Sequence, residues 1–102
     1  MDKNIQISML LDIYGKLLTA KQYDALDLYY NQNLSLSEIA EEFSTTRQGA
    51  RKSIIDGEKK LFEYEEKLKI LEERIKNQKL IEKIIKETED VIVKENLQKL
   101  LY

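Results

Sequence analysis

The sequence predicts an all-α protein. Three observations predict it. The 102 residues contain no Pro and only three Gly, so the punctuation expected between strands is missing. Charged residues make up 35% of the chain and apolar residues 42%, rich in Leu, Ile, Lys and Glu. Apolar positions recur in steps of three and four rather than two. The length suits one domain with a modest core.

Each element follows in order. Ile5, Met9, Leu10, Ile13, Tyr14 and Leu17 share a helical face, which predicts a first helix from about Lys3 to Tyr14 with Gly15 near its end. Thr19 and Gln22 have capping-box spacing and open a second helix. Its stripe is Tyr23, Leu26 and Tyr30, and it ends near Asn31 in the polar run Asn31-Gln32-Asn33. Ser35 and Glu38 have the same spacing and open a short third helix, with Ile39, Ala40 and Phe43 inward. Thr45 and Gln48 repeat it, so a fourth helix begins at about Thr46. Ala50, Ile54 and Leu61 point inward on this helix, and Arg47, Gln48, Arg51 and Lys52 outward.

From Leu61 onward the apolar steps resemble heptads: Leu61, Tyr64, Leu68, Leu71 and Ile75, then Leu80, Ile81, Ile84 and Ile85, then Val91, Ile92, Leu97, Leu100 and Leu101. The pattern shifts near Asn77-Gln78 and again near Glu89-Asp90. One continuous helix there would span roughly 60 Å, against a radius of gyration of about 13 Å for a compact chain of this size. The tail therefore folds back as a hairpin or packs on a second copy. The stripe of Leu68, Leu71, Ile75, Leu80, Ile84, Ile85, Leu97 and Leu100 is assigned to dimerisation, with closure of an intrachain bundle as the alternative. The expected division is residues 1–61, a helix-turn-helix domain, and 62–102, a helical tail serving as bundle or dimerisation element.

Composition also excludes chemistry. No Cys means no disulfide framework and no thiolate ligands; no His removes the commonest general base and metal ligand. Glu41-Glu42, Glu65-Glu66, Glu72-Glu73 and Glu89-Asp90 are adjacent pairs, which do not face each other on a helix and read as solvated surface. Gly15, Gly49 and Gly57 are isolated and form no phosphate loop. The expectation is no enzyme, no cofactor and no metal. No apolar run spans a bilayer, and Met1 to Lys16 lacks a secretory pattern, which points to the cytoplasm without membrane insertion.

The informative segment runs from Thr19 to Leu61. A short helix, a tight turn and a longer helix make a helix-turn-helix, whose second helix enters the DNA major groove. Thr45, Thr46, Arg47, Gln48, Arg51 and Lys52 fall on the first turns of that second helix and are the candidate nucleic-acid-binding residues. Arg bonds guanine bidentately, Gln bonds adenine, and hydroxyls hold phosphates. The net charge of −2 opposes this reading, but Thr45 to Ser53 holds three basic and no acidic side chains. Asp56 and Glu58 put negative charge on the same helix. Tyr14, Tyr23, Tyr29 and Tyr30 could stack on bases, yet their helical spacing assigns them to packing, with Tyr29 the most exposed.

The run LTAKQYDALDLYYNQNLSLSEIAEEFSTTRQGARKSIIDGEKKL, Leu18 to Leu61, resembles the fourth region of bacterial sigma factors. It resembles more closely the YlxM family of small bacterial helix-turn-helix proteins, through Leu18, Thr19, Lys21, Gln22, Leu28 to Tyr30, Leu34 to Glu42, Arg47 to Gly49 and Arg51. The first helix and the charged tail match that family's order, so the likeness covers essentially the whole chain. Thr46, Asn33 and Ala50 depart from its usual Ser, Asp and larger β-branched residue. The resemblance implies an all-helical, nucleic-acid-binding (DNA or RNA) regulator of the signal recognition particle pathway. It implies association with the particle's GTPase or its RNA, and a homodimer formed through the tail. A promoter-binding transcription regulator and a protein-interaction module on the GTPase are the alternatives.

Overall fold

The computed structural model describes residues 1–101. It contains six α-helices and, among the described residues, no strand: α1 (Lys3–Tyr14), α2 (Ala20–Leu26), α3 (Leu36–Glu42), α4 (Arg47–Leu68), α5 (Ile70–Glu87) and α6 (Val91–Leu101). Two compact units are present, Met1–Lys69 and Ile70–Tyr102. The division expected after residue 61 falls inside α4. Among the described residues no helix is long and apolar enough to cross a membrane.

In the first unit α1 begins at Asp2, whose carboxylate accepts from the Asn4 N–H at 2.9 Å. Its buried stripe is Ile7, Leu10, Leu11 and Tyr14, an unbroken i, i+3, i+4, i+7 face. This corrects the expected stripe: Ile5, Met9 and Leu17 are exposed, and Ile13 is half-buried. The helix carries apolar residues nearly all round, so periodicity alone leaves two candidate faces. The neighbouring helices select one of them.

Two of the three expected capping boxes form. Thr19 Oγ1 accepts from the Gln22 N–H at 3.1 Å while Gln22 Oε1 accepts from the Thr19 N–H at 3.2 Å. Ser35 and Glu38 do the same, each at 3.1 Å. α2 widens into a π-helical turn over Asp27–Asn31, where the Asp27 carboxylate accepts from the side chains of Asn31 and Gln32. Asn33 then reverses the chain at φ 57°, a left-handed conformation that Asn tolerates well.

The long helix α4 is the axis of this unit and packs against α1, α2 and α3. Ala50, Ile54 and Leu61 turn inward as expected and are almost fully buried, alongside Leu26 and Ile39. Gly57 lets α2 approach: a Cβ there would lie 2.8 Å from Leu26 Cδ1. At the other end Tyr14 stacks on Tyr64 with ring centroids 5.9 Å apart, and its hydroxyl donates to Glu65 at 2.7 Å.

In the second unit α5 runs unbroken through Asn77-Gln78, so the shift in apolar spacing there marks no break in the helix. The break falls at Lys69, left-handed at φ 55°. The second expected break is present: Thr88 to Asp90 connect α5 to α6, and Asp90 Oδ1 accepts from the Ile92 and Val93 N–H groups. Val91 to Val93, β-prone in isolation, are helical, as their surroundings predict.

Candidate nucleic-acid interface

The helix-turn-helix is α3, a four-residue connection and α4. Its geometry starts with backbone groups. The Phe43 N–H donates to Ile39 O at 3.0 Å, Ser44 N–H to Glu41 O at 3.1 Å and Thr45 N–H to Ala40 O at 2.9 Å, so α3 closes on its own carbonyls. Ser44 takes φ 51°, and this left-handed step swings the chain into α4. Thr46 follows in an extended conformation and caps the helix, its Oγ1 accepting from the Gly49 N–H at 3.0 Å. The expected pairing of Thr45 with Gln48 is thereby corrected by one residue. Thr45 instead folds over the first turn: a Cβ on Gly49 would stand 2.5 Å from Thr45 Oγ1. Gly49 is therefore required by close approach of the Thr45 side chain, not by a phosphate loop.

The cap sets where the candidate side chains point. Arg47, Gln48, Arg51 and Lys52 are all exposed, Thr46 is exposed and Thr45 is half-buried. Among the described residues Arg47, Arg51 and Lys52 enter no ion pair, so a ligand need not displace one. Thr46, Arg47, Gln48, Arg51 and Lys52 thus lie together on the outward first turns of α4, while Thr45 contributes mainly to the turn itself. The N–H groups at the start of α4 and its dipole add positive potential there.

The acidic groups feared on this helix sit differently from one another. Glu58 turns toward α1 and the π-helical turn after α2: it accepts from the Tyr30 hydroxyl and pairs with Lys3 Nζ at 3.3 Å. Burial of Tyr30, reinforced by its hydrogen bond to Glu58, holds the phenol well above its ordinary range. Glu58 is therefore engaged on the α1 side of the unit rather than displayed beside Arg51. Asp56 is half-buried.

One residue escaped sequence reasoning. Ile55 is 46% exposed and, with Gln48, Arg51 and Lys52, lines a shallow depression of about 260 Å³. The signal was available, because 48, 51, 52 and 55 have i, i+3, i+4, i+7 spacing. An exposed aliphatic side chain between cations can touch a thymine methyl. The tyrosines divide only in part as their spacing predicts: Tyr14 is buried and Tyr30 is half-buried against Tyr29, with ring centroids 5.0 Å apart, but Tyr23, assigned to the stripe of the second helix, is 39% exposed, no less than Tyr29 at 37%.

The expected dimer residues also divide. Leu71 is buried, Ile75, Ile85 and Leu97 are half-buried, and Leu68, Leu80, Ile84 and Leu100 are exposed. No group of acidic residues among the described residues is arranged to hold a metal.

Comparison with known proteins places these features. A family described as "Putative helix-turn-helix protein, YlxM / p13 like" (UPF0122) matches residues 1–101. A UPF0122 protein of Clostridium kluyveri is 54% identical over 74 residues, covering 72% of this chain and 67% of its own length. A UPF0122 protein of Clostridium perfringens is 44% identical over 87 residues, 85% of this chain and 78% of that protein. One of Acetivibrio thermocellus is 38% identical over 91 residues, 89% and 78% of the two chains.

Proposed function

The chain belongs to the YlxM/p13-like helix-turn-helix family, and from that premise we propose that it is a non-enzymatic nucleic-acid-binding regulator acting through the outward face of α4. One observation carries the reading. Thr46, Arg47, Gln48, Arg51 and Lys52 project together from the capped start of α4, with no ion pair among those cations and no acidic side chain from Thr45 to Ser53. Phosphates are held by Arg47, Arg51, Lys52 and the Thr46 hydroxyl; Gln48, Arg51 and Ile55 face the bases. The resemblance to YlxM-type proteins supports a cytoplasmic setting in the signal recognition particle pathway, with the particle's RNA or GTPase as partner. The exposed apolar residues of the second unit support a homodimer.

The exposed carboxylates Glu38, Glu41 and Glu42 of α3 favour a second reading, in which the same unit docks on a basic protein surface such as one on the GTPase. A salt series separates the two. Three cations per chain predict a slope of log affinity against log salt of about −2.7 for one copy on duplex DNA and about −5.4 for two. The Arg47→Glu, Arg51→Glu double variant should abolish binding to duplex DNA and structured RNA while its circular dichroism melt is unchanged. A flat salt response, or a double variant that binds like the parent, overturns nucleic-acid binding and leaves the docking reading.

A further inference from the structure

Within the first three turns of α4 one large apolar side chain faces outward. Ile55 is 46% exposed and shares a depression of about 260 Å³ with Gln48, Arg51 and Lys52. At about 100° per residue Ile55 returns to within about 20° of Gln48 and falls between Arg51 and Lys52. A lone exposed aliphatic residue is common. This one stands among three side chains that bond base edges, at i, i+3, i+4, i+7 spacing. A recognition helix lying along the major groove presents four residues to base edges with that same spacing. No carboxylate interrupts the row: Asp56 is half-buried, and Glu58 is held by Tyr30 and Lys3. The face continues through the exposed Lys59 and Phe62 to the exposed Glu66. A phosphate there would meet like charge, so the row ends before that turn.

Each member of the row suits a base edge. Gln bonds adenine at N6 and N7, Arg and Lys bond guanine at O6 and N7, and an apolar group packs on the C5 methyl of thymine. Ile55 offers no hydrogen bond, so its favourable contact in the groove is that methyl. Against a purine edge it would cover acceptors without pairing them. From Gln48 to Ile55 the helix rises about 10.5 Å, close to three base steps of about 3.4 Å. The same row has no use on duplex RNA. Uracil lacks the methyl, and the A-form major groove is too deep and narrow for side chains to read.

We infer that Ile55 is a specificity-determining residue that selects a thymine methyl in the major groove of duplex DNA, about three base pairs from an adenine read by Gln48. The inference rests on the nucleic-acid reading above and adds to it the class of ligand and the residue that selects it. The test starts with selection of binding sites by the full chain from a random DNA duplex library. Fluorescence anisotropy then compares a selected duplex with one carrying deoxyuridine for the thymine, which removes only the methyl. The enriched duplexes should hold a thymine about three base pairs from an adenine. Burying one methyl is worth about fourfold in affinity, so deoxyuridine should weaken the parent about fourfold. Ile55→Ala should bind the thymine duplex about as weakly and be indifferent to deoxyuridine, with an unchanged melt because the site is exposed. Ile55→Val, which keeps a branched apolar side chain, should keep the dependence on the methyl. A library that enriches no thymine at that spacing, or a deoxyuridine effect that is absent from the parent or equal in Ile55→Ala, overturns the role of Ile55 and leaves nucleic-acid binding standing. Binding to structured RNA without binding to duplex DNA overturns the ligand class alone. A chain that binds neither overturns this inference and the nucleic-acid reading together.

Discussion

Thr46 offers a perturbation whose effects on folding and on binding have separable signs. Its Oγ1 accepts from the Gly49 N–H at 3.0 Å, and its extended backbone starts α4. Thr46→Ala removes that acceptor and leaves an amide of the first turn unsatisfied, which costs about 1 kcal/mol. For a cooperative unit the size of Met1–Lys69 this lowers Tm by about 4–8 °C. Thr46→Asp keeps an acceptor in place and adds negative charge beside the positive end of the helix, worth about 0.3–1 kcal/mol in favour of folding. On nucleic acid the sign reverses. A carboxylate about 6 Å from a phosphate costs about 0.7 kcal/mol at the dielectric of water, or roughly threefold in affinity per copy. The assay is a thermal melt beside a fluorescence-anisotropy titration of duplex DNA at low salt. The expected pattern is an unstable Ala variant, a stable Asp variant, and the weaker binding in Asp. If affinity follows Tm across parent, Ala and Asp, the start of α4 lies away from the phosphates, and the interface reasoning fails.

Two further predictions rest on backbone and buried chemistry. Ser44 holds a left-handed φ of 51°, so Ser44→Gly should relieve about 1–2 kcal/mol of steric cost against about 0.5–1 kcal/mol of added chain entropy, a net gain of about 0.5–1 kcal/mol by urea melt; a destabilised variant would mean that the serine side chain supports the turn. Tyr30 is held above its ordinary ionisation range by burial and by donating to Glu58. The unfolded chain ionises this tyrosine near pH 10 while the folded one keeps it protonated, so unfolded molecules bind fewer protons and stability falls as pH rises past that point. Its contribution is complete below that range. Tyr30→Phe should therefore flatten the fall between pH 9 and pH 11 relative to the parent, and equal slopes would refute the coupling.

Much of the fold was legible because local chemistry and packing agree. The bounds of α1, the capping boxes at Thr19 and Ser35, the inward set Ala50, Ile54 and Leu61, and the connection before α6 follow from spacing and hydrogen-bonding capacity alone. The misses share a cause: they depend on neighbours in space. α1 offers two apolar faces, and only packing on α4 and the turn after α2 buries Ile7 and Leu11 in preference to Ile5 and Met9. Lys69 turns left-handed with no glycine to announce it. Three consecutive hydroxyl residues, Ser44 to Thr46, each could cap, and the choice of Thr46 follows from the left-handed step at Ser44. At the candidate interface the outward residues were legible from one helix's periodicity. The inward turn of Glu58 was not, because its partners Lys3 and Tyr30 are distant in sequence.

The placement of carboxylates also bears on the opposition between a net charge of −2 and the proposed nucleic-acid face. Six of the 19 acidic groups serve the fold locally. Asp2 and Asp90 accept from the first turns of α1 and α6, Glu38 completes the Ser35 box, Asp27 holds the π-helical turn, Glu65 takes the Tyr14 hydroxyl, and Glu58 takes Tyr30 and Lys3. The cations of the α4 start do none of this work and project into solvent. Counting charges over the whole chain adds groups already engaged to groups that a ligand would meet. At physiological salt, charges more than about 8 Å away are largely screened, so a phosphate at Arg47 experiences the Thr45 to Ser53 turn rather than the chain average. The exposed acidic residues of α3 bound that field on one side. A small unpaired cationic face with an acidic border suits a defined contact of few phosphates and disfavours indiscriminate coating. Under the linear dependence on phosphates neutralised, doubling the face through a second copy then changes affinity more than any single side chain on it.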